Sequence, residues 1–317
     1  MPSGLIALLD DVATLTKLAA SSIDDVGAAV GKAGTKAAGV VIDDTAVTPR
    51  YVTGLTPDRE LPIIGKIAVG SLKNKLLIIL PVALILSSLA PWAITPILML
   101  GGTYLCFEGA EKLWEKVSGD HHEESALTEC EDAGELEKRQ VAGAIRTDFI
   151  LSAEIMVIAL SELEASSFWM RALALVLVGI VITVAVYGAV GLIVKLDDIG
   201  LHLAKRGGPA RHLGMLLVRG VPKLLAGLAV IGTAAMLWVG GQILIHGLED
   251  LHLLTALPHA VHDLAARGAG MFGFWTAAWE WVLYAFGSAV VGTVVGGIIV
   301  AILHLLPKRG TAAQAAH

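Results

Sequence analysis

From residue 73 onward the chain alternates long apolar runs with short polar ones. A helix needs about 20 apolar residues to cross hydrocarbon, and by that measure the pattern predicts six membrane-spanning helices, near 73–89, 94–111, 146–163, 170–194, 222–246 and 276–305. Residues 1–72 hold no comparable run and read as a separate amphipathic segment. Within it Leu5, Leu8, Leu9, Val12, Leu15 and Leu18 recur at three-and-four spacing, the mark of a helix with one apolar face, suited to lying on a bilayer or docking on a bundle. Paired aspartates follow Leu9, Ile23 and Ile42; neighbours on a helix point apart, so these read as solvated faces or helix starts. Pro, Gly and Thr between residues 48 and 62 then interrupt regular structure ahead of the first span.

Charge orients the spans. Lys195, Lys205, Arg206, Arg211, Arg219 and Lys223 concentrate around the 195–221 loop, and Lys308 and Arg309 lie in the 307–317 tail, so the positive-inside rule places both in the cytoplasm. Counting back puts the acidic 108–142 loop on the same side, with Lys66, Lys73 and Lys75. The run 72–117 must then turn back on itself at Ala90 to Pro96, which leaves both termini cytoplasmic and the 247–275 loop outside. Trp92, Trp169 and Trp275 fall at the outer interface, where amphipathic rings prefer to sit.

Composition supports the class. The chain of 317 residues is 55% hydrophobic and 16% charged, with a mean hydropathy of +0.73, which predicts an all-α polytopic membrane protein. A net charge of −6 without an aromatic-interleaved basic patch argues against a nucleic-acid partner. The N-terminus lacks a basic stretch and a short apolar core before a cleavage site, so no cleaved signal peptide is expected. Cys106 and Cys130 read as two free thiols.

Two polar loops carry candidate metal ligands. His121, His122, Glu123, Glu124, Cys130, Glu131 and Asp132 lack the paired spacing of zinc sites and read as a solvated loop. His246, His252, His259 and His262 lie in or beside the outer loop; only His259 and His262 have a spacing that shares a helix face, a weak metal or pH-sensing candidate.

The richest stretch is Gly143 to Glu164, which places Asp148 and Glu154 in a span. A charged side chain at the bilayer centre costs about 2.5–3.5 kcal/mol on insertion scales, so such residues mark function by default. Asp148 and Ser152, four apart, share a helix face. Glu154 points about 120° away and lies roughly 9 Å further along the axis, so a shared ion site needs an unwound helix; otherwise the acids act in series as relay stations. Ser161 follows Glu154 at a spacing that extends a polar stripe. Thr183, Tyr187, Ser288 and Thr293 are further contributors by depth, and oxygen donors of this kind suit protons or hard cations such as Mg²⁺, Ca²⁺ or Mn²⁺.

Residues 100–113, LGGTYLCFEGAEKL, and 239–251, VGGQILIHGLEDL, align with one gap on a Gly-Gly pair and a Gly-x-Glu. They end the second and fifth spans, which are equivalent positions if two three-span halves repeat in opposite orientation, as in many secondary transporters. Alternatively the glycines serve close packing alone.

The stretches PSGLIALLDDVATLTKLAASSIDDV, KAAGVVIDDTAVTPRYVTG, APWAITPILMLGGTYLCFEGAEK and GAIRTDFILSAEIMVIAL resemble the YedI-type family of bacterial inner-membrane proteins, over nearly the whole chain. This resemblance implies location and little chemistry. Over about a quarter of the chain, Gly101 and Gly102 followed by Asp148, Ser152 and Glu154 resemble the TerC family of the LysE superfamily, six-span exporters associated with cation export. Glu154 stands where that pattern has Asp, and 76–89 has no carboxylate where the family carries a second acidic motif.

The expected function is therefore a secondary transporter or exporter of a small cation, proton-coupled through intramembrane carboxylates and needing no cofactor. The alternative is a non-transporting scaffold or stress-linked interaction protein acting through residues 1–72. An enzyme is not expected, for want of His-Glu-x-x-His, Gly-x-Ser-x-Gly or a phosphate-cradling loop. Homo-oligomers suit glycine-rich spans.

Overall fold

The computed structural model describes residues 24–35, 45, 47, 57–118, 133–163, 167–206, 209–271 and 275–305. The expected leucine-faced helix at 5–18, the His/Cys-containing stretch at 121–132 and the tail 307–317 lie outside these residues. All regular elements among the described residues are helical: a stretch over 24–35, then α1 (Pro57–Asn74), a π-helical turn (Lys75–Ile79), α2 (Leu80–Leu89), α3 (Ile94–Ser118), α4 (Ala133–Ser161), α5 (Phe168–Ala204), α6 (Pro209–Asp250), α7 (Ala256–Gly270) and α8 (Thr276–Leu305).

α1, the π turn and α2 join into one rod, Arg59–Leu89. Ala90 leaves helical geometry at φ −151° and ψ 64°, and Pro91–Ala93 form a 3₁₀ turn, so the chain breaks where proline forbids continuation. The expected boundary at residue 72 thus falls inside a helix: polar residues at 57–75 hid its start, because the apolar run begins only at Leu76.

Among the described residues, five helices have the length and apolarity to cross a membrane: Arg59–Leu89, Pro91–Ser118, Phe168–Ala204, Ala210–Asp250 and Thr276–Leu305. The chain is an all-α polytopic membrane protein. The sequence pattern predicted six spans; the one missing from this set is α4, whose Arg146, Asp148 and Glu154 dilute its apolar run.

Helix directions follow from residue pairs. Lys66 meets Glu137 and Lys75 meets Asp148, so α1 and α4 are parallel. Gly101 packs on Ile150 while Thr147 bonds Glu108, so α3 and α4 are antiparallel. Gly191 packs on Leu61 and Gly179 on Leu76, which makes α5 antiparallel to the rod. Gly109 meets Leu237 and Gly247 meets Met99, so α6 is antiparallel to α3; Gly241 meets Ser288 and Gly292 meets Leu237, so α8 is antiparallel to α6. The six long helices therefore alternate in direction. α3 and α5 run the same way, and α4 is the element that carries the chain back between them.

Three apolar clusters fill the bundle, the smallest being Ala110, Leu237 and Val300 on α3, α6 and α8. One joins α1, α4 and α5 through Ile63, Ile67, Ile155, Met156, Leu175, Val178 and Val190. Another joins α3, α4 and α6 through Leu105, Leu151, Met236, Val239 and Ile243. Exposed apolar side chains cover the outside, and Trp92, Trp169 and Trp275 stand out from it at 74%, 79% and 79% exposure, free to anchor at an interface.

The expected loops are shorter than the charge pattern implied. α5 continues to Ala204 and α6 starts at Pro209, so Lys195, Arg211 and Arg219 sit on helices. α3 reaches Ser118 and α4 begins at Ala133, which trims the acidic connection at both ends. The 247–275 segment contains α7, reached through His252 and Leu254 at φ 53° and 47°, left-handed values that non-glycine residues rarely adopt.

Candidate functional site

Beside Asp148 the structure places a residue that the charge pattern had assigned to the cytoplasmic surface. Lys75, read above as a positive-inside signal, is 1% exposed and pairs with Asp148, itself 3% exposed. A lysine at the edge of an apolar run looks interfacial in sequence. Here α1 starts so much earlier that the same lysine falls well inside the rod.

Three hydroxyl groups join the pair. Lys75 Nζ donates to Asp148 Oδ1 at 3.2 Å and to Ser71 Oγ at 2.5 Å. Tyr187 Oη donates to the same carboxylate oxygen at 2.8 Å, and Ser152 Oγ donates to Oδ2 at 3.1 Å. Ser71 precedes Lys75 by four residues and Asp148 precedes Ser152 by four, so two parallel helices each turn an i, i+4 polar pair inward, and α5 closes the site with Tyr187. Isolated charges here would cost several kcal/mol each; mutual pairing plus hydroxyl donors is the arrangement that makes burial tolerable. Lys75 also opens the π-helical turn, a distortion that recurs at functional sites.

Of the residues singled out in sequence, Asp148, Ser152 and Tyr187 come together. Glu154 is buried but lies on the helix face shared with Thr147 and Leu151, turned from the Asp148 cluster as helix geometry required. Thr183 donates to Gly179 O at 2.7 Å and Thr293 to Ala289 O at 2.7 Å, both bonds back onto their own helices. Ser161 bonds Ile158 O at 2.8 Å and is exposed, so it does not extend a buried polar stripe. Ser288 is fully buried against Gly241, on the α6–α8 contact.

A second polar layer lies on the other side of α4. Glu108 pairs with Lys112 and accepts from Thr147 Oγ1 at 3.2 Å, while Arg146 donates to Tyr104 Oη at 3.3 Å. Sequence reasoning missed Lys75, Ser71, Glu108 and Lys112. The signal that would have found the first two is their four-residue spacing, identical to that of Asp148 and Ser152.

At the α1–α4 end, Glu137 bonds Lys66 and, at 2.9 Å, Arg59. The Lys66 hydrogen bond, reinforced by the charges of Lys66 and Arg59, holds the Glu137 carboxyl below its ordinary range. At the opposite end His262 stacks on Tyr284 at 4.5 Å and His246 approaches the same ring at 6.0 Å. His259 is exposed and joins neither contact, and no cluster of three or more His, Cys, Asp or Glu side chains forms a metal-binding group among the described residues.

No curated protein and no solved structure matches the chain. A family description, "Protein of unknown function (DUF808)", matches residues 3–302, nearly all of the sequence and every helix of the bundle that holds Lys75 and Asp148. The chain belongs to the DUF808 family.

Proposed function

We propose that this protein is a secondary transporter in which a small cation and the ammonium of Lys75 compete for Asp148. The observation that carries the reading is the buried Lys75–Asp148 pair with its hydroxyl partners Ser71, Ser152 and Tyr187. A cation reaching Asp148 takes the place of Nζ beside Oδ1. The site then holds two positive charges for one carboxylate, and charge balance in a dry interior couples entry of the cation to departure of a proton. Binding thus releases a proton, and loss of the cation recovers it, which is the elementary step of cation/proton exchange.

The helix directions support this reading. α1, α3 and α4 run up, down and up; α5, α6 and α8 run down, up and down, the opposite sense that two inverted halves require. The aligned Gly-Gly pairs also meet, since a Cβ on Gly102 would lie 3.0 Å from Gly240 O. In this reading α4 is the sixth crossing, the membrane is a bacterial inner membrane, and the α1–α4 end with Arg59, Lys66, Lys138 and Arg139 faces the cytoplasm.

The test is proton movement in proteoliposomes carrying an internal pH dye, after addition of Mn²⁺, Mg²⁺, Ca²⁺, Na⁺ or K⁺. The wild type should alkalinise the lumen with at least one cation. The double variant Lys75→Met/Asp148→Leu should fold and show none. Silence of the wild type with all five cations, or unchanged flux in the double variant, would rule the exchange out.

A scaffold role is the second reading, favoured by the completeness of the network: every polar group of the Lys75–Asp148 site is engaged with another. In that case the double variant retains the protein's assembly and no cation elicits flux from either form.

A further inference from the structure

The Lys75–Asp148 site is defined by its charge as well as by its contacts. Lys75 brings one positive charge and Asp148 one negative charge, and the three groups bonded to them, Ser71, Ser152 and Tyr187, are neutral hydroxyls. The neighbouring carboxylates are turned away. Glu154 lies on the α4 face shared with Thr147 and Leu151, about 120° round the helix from Asp148. Glu108 reaches that same face from α3, where it pairs with Lys112 and accepts from Thr147. Burial makes the charge count strict: Lys75 and Asp148 are 1% and 3% exposed, so neither water nor salt screens a surplus charge between them.

We infer, on the strength of the exchange proposed above, that the ion carried is a monovalent cation, one proton leaving for each ion that enters and no net charge moving. In the pair as it stands the charges sum to zero. A singly charged cation that enters as Lys75 gives up a proton restores that sum, with Asp148 ionised and the amine neutral. A doubly charged cation leaves a surplus positive charge after the same step. Balancing it requires a second anion, and the remaining groups, serine hydroxyls and a phenol, ordinarily keep their protons at neutral pH. The donors agree with the charge count. Divalent ions are held by several carboxylates, or by one or two with a retained shell of water, and soft ions favour sulfur. Here one carboxylate and hydroxyl oxygens surround a place that seats a single ammonium, between Asp148 Oδ1 at 3.2 Å and Ser71 Oγ at 2.5 Å.

The experiment places the full chain in proteoliposomes with an internal pH dye and adds Li⁺, Na⁺, K⁺, Mn²⁺, Mg²⁺ or Ca²⁺ outside, with the membrane potential set to zero or to about 100 mV by a thiocyanate gradient. At least one of Li⁺, Na⁺ and K⁺ should alkalinise the lumen, to the same final extent at both potentials, and the divalent cations should not. A doubly charged ion exchanged for one proton would move a net charge, and its accumulation would shift about fiftyfold per 100 mV. Alkalinisation by Mn²⁺, Mg²⁺ or Ca²⁺, or an extent that moves with potential, overturns the monovalent one-for-one assignment and leaves the exchange itself standing. Silence with every cation removes both.

Discussion

The two sides of the bundle are held by different physics. Where α3, α6 and α8 meet, helices touch backbone to backbone: a Cβ on Gly240 would lie 2.7 Å from Gly102 O, and one on Gly241 or Gly292 would overlap the carbonyl of Ser288 or Leu237. Where α1, α4 and α5 meet, the contact is made by long side chains and one buried ion pair. The glycine seam tolerates no separation or added volume. The charged seam depends instead on a matched pair, because removing either partner strands the charge of the other. The two seams therefore fail differently, one when volume is added and the other when a charge is left alone.

The sharpest way to break this comparison is to strand a charge. Asp148→Leu alone leaves the Lys75 ammonium buried without its acid and should destabilise the protein by about 3–5 kcal/mol, whereas the double variant with Lys75→Met should recover most of that loss. Thermal unfolding in detergent measures both. Equal destabilisation of single and double variants would mean that the seam depends on shape and not on charge.

Tyr187→Phe removes one donor from Asp148 and keeps the ring, so a loss of about 1.5–3 kcal/mol is expected for a hydrogen bond to a charged acceptor. On the glycine seam, Gly241→Ala should cost about 1–3 kcal/mol through overpacking. Gly188→Ala meets nothing within 4 Å, and should fall within about 0.5 kcal/mol of the wild type, as surface substitutions do. If Gly188 and Gly241 respond alike, the backbone contact is not what holds that seam.

The smallest effect is expected at the α1–α4 end. Because Lys66 and Arg59 lower the Glu137 carboxyl in the folded state, its contribution is fully present above the ordinary carboxylate range and is lost as pH falls through the lowered value. Glu137→Gln should therefore lower the melting temperature slightly at neutral pH, leave it unchanged once acid has protonated the wild-type carboxyl, and so flatten the acid side of the profile.

Much of this was legible in the chain. The apolar runs marked the bundle, Pro91 and Pro96 marked the break after Ala90, and the six-residue offset of Asp148 and Glu154 already forbade one rigid shared site. Glu154 drew attention because it lies deep in an apolar run. Asp148 turned out to be the centre of the cluster because its partners Lys75 and Tyr187, and Ser71 behind Lys75, are far away in sequence. Lys75 was misplaced for a physical reason: hydropathy sees where apolar residues begin, whereas the helix begins at Pro57 under polar residues that cover its first turns. The bonding of Thr183 and Thr293 to their own backbones cannot be read from depth at all.

The π-helical turn at Lys75–Ile79 has a consequence for phase. One series of buried positions in the rod, Ile63, Ile67, Ser71, Lys75, Ile79 and Ala83, runs at intervals of four, with Ile64, Leu80 and Leu84 buried beside it. On an ideal α-helix such a series drifts by about 40° per step and would wind more than halfway round the rod by its end. The wider π turn rotates less per residue and cancels part of that drift, so Ile79 and Ala83 stay on the side that Ile63 began. One surplus residue thus works as a phase corrector, and excising a single residue between Lys75 and Ile79 would swing the whole of α2 away from its partners.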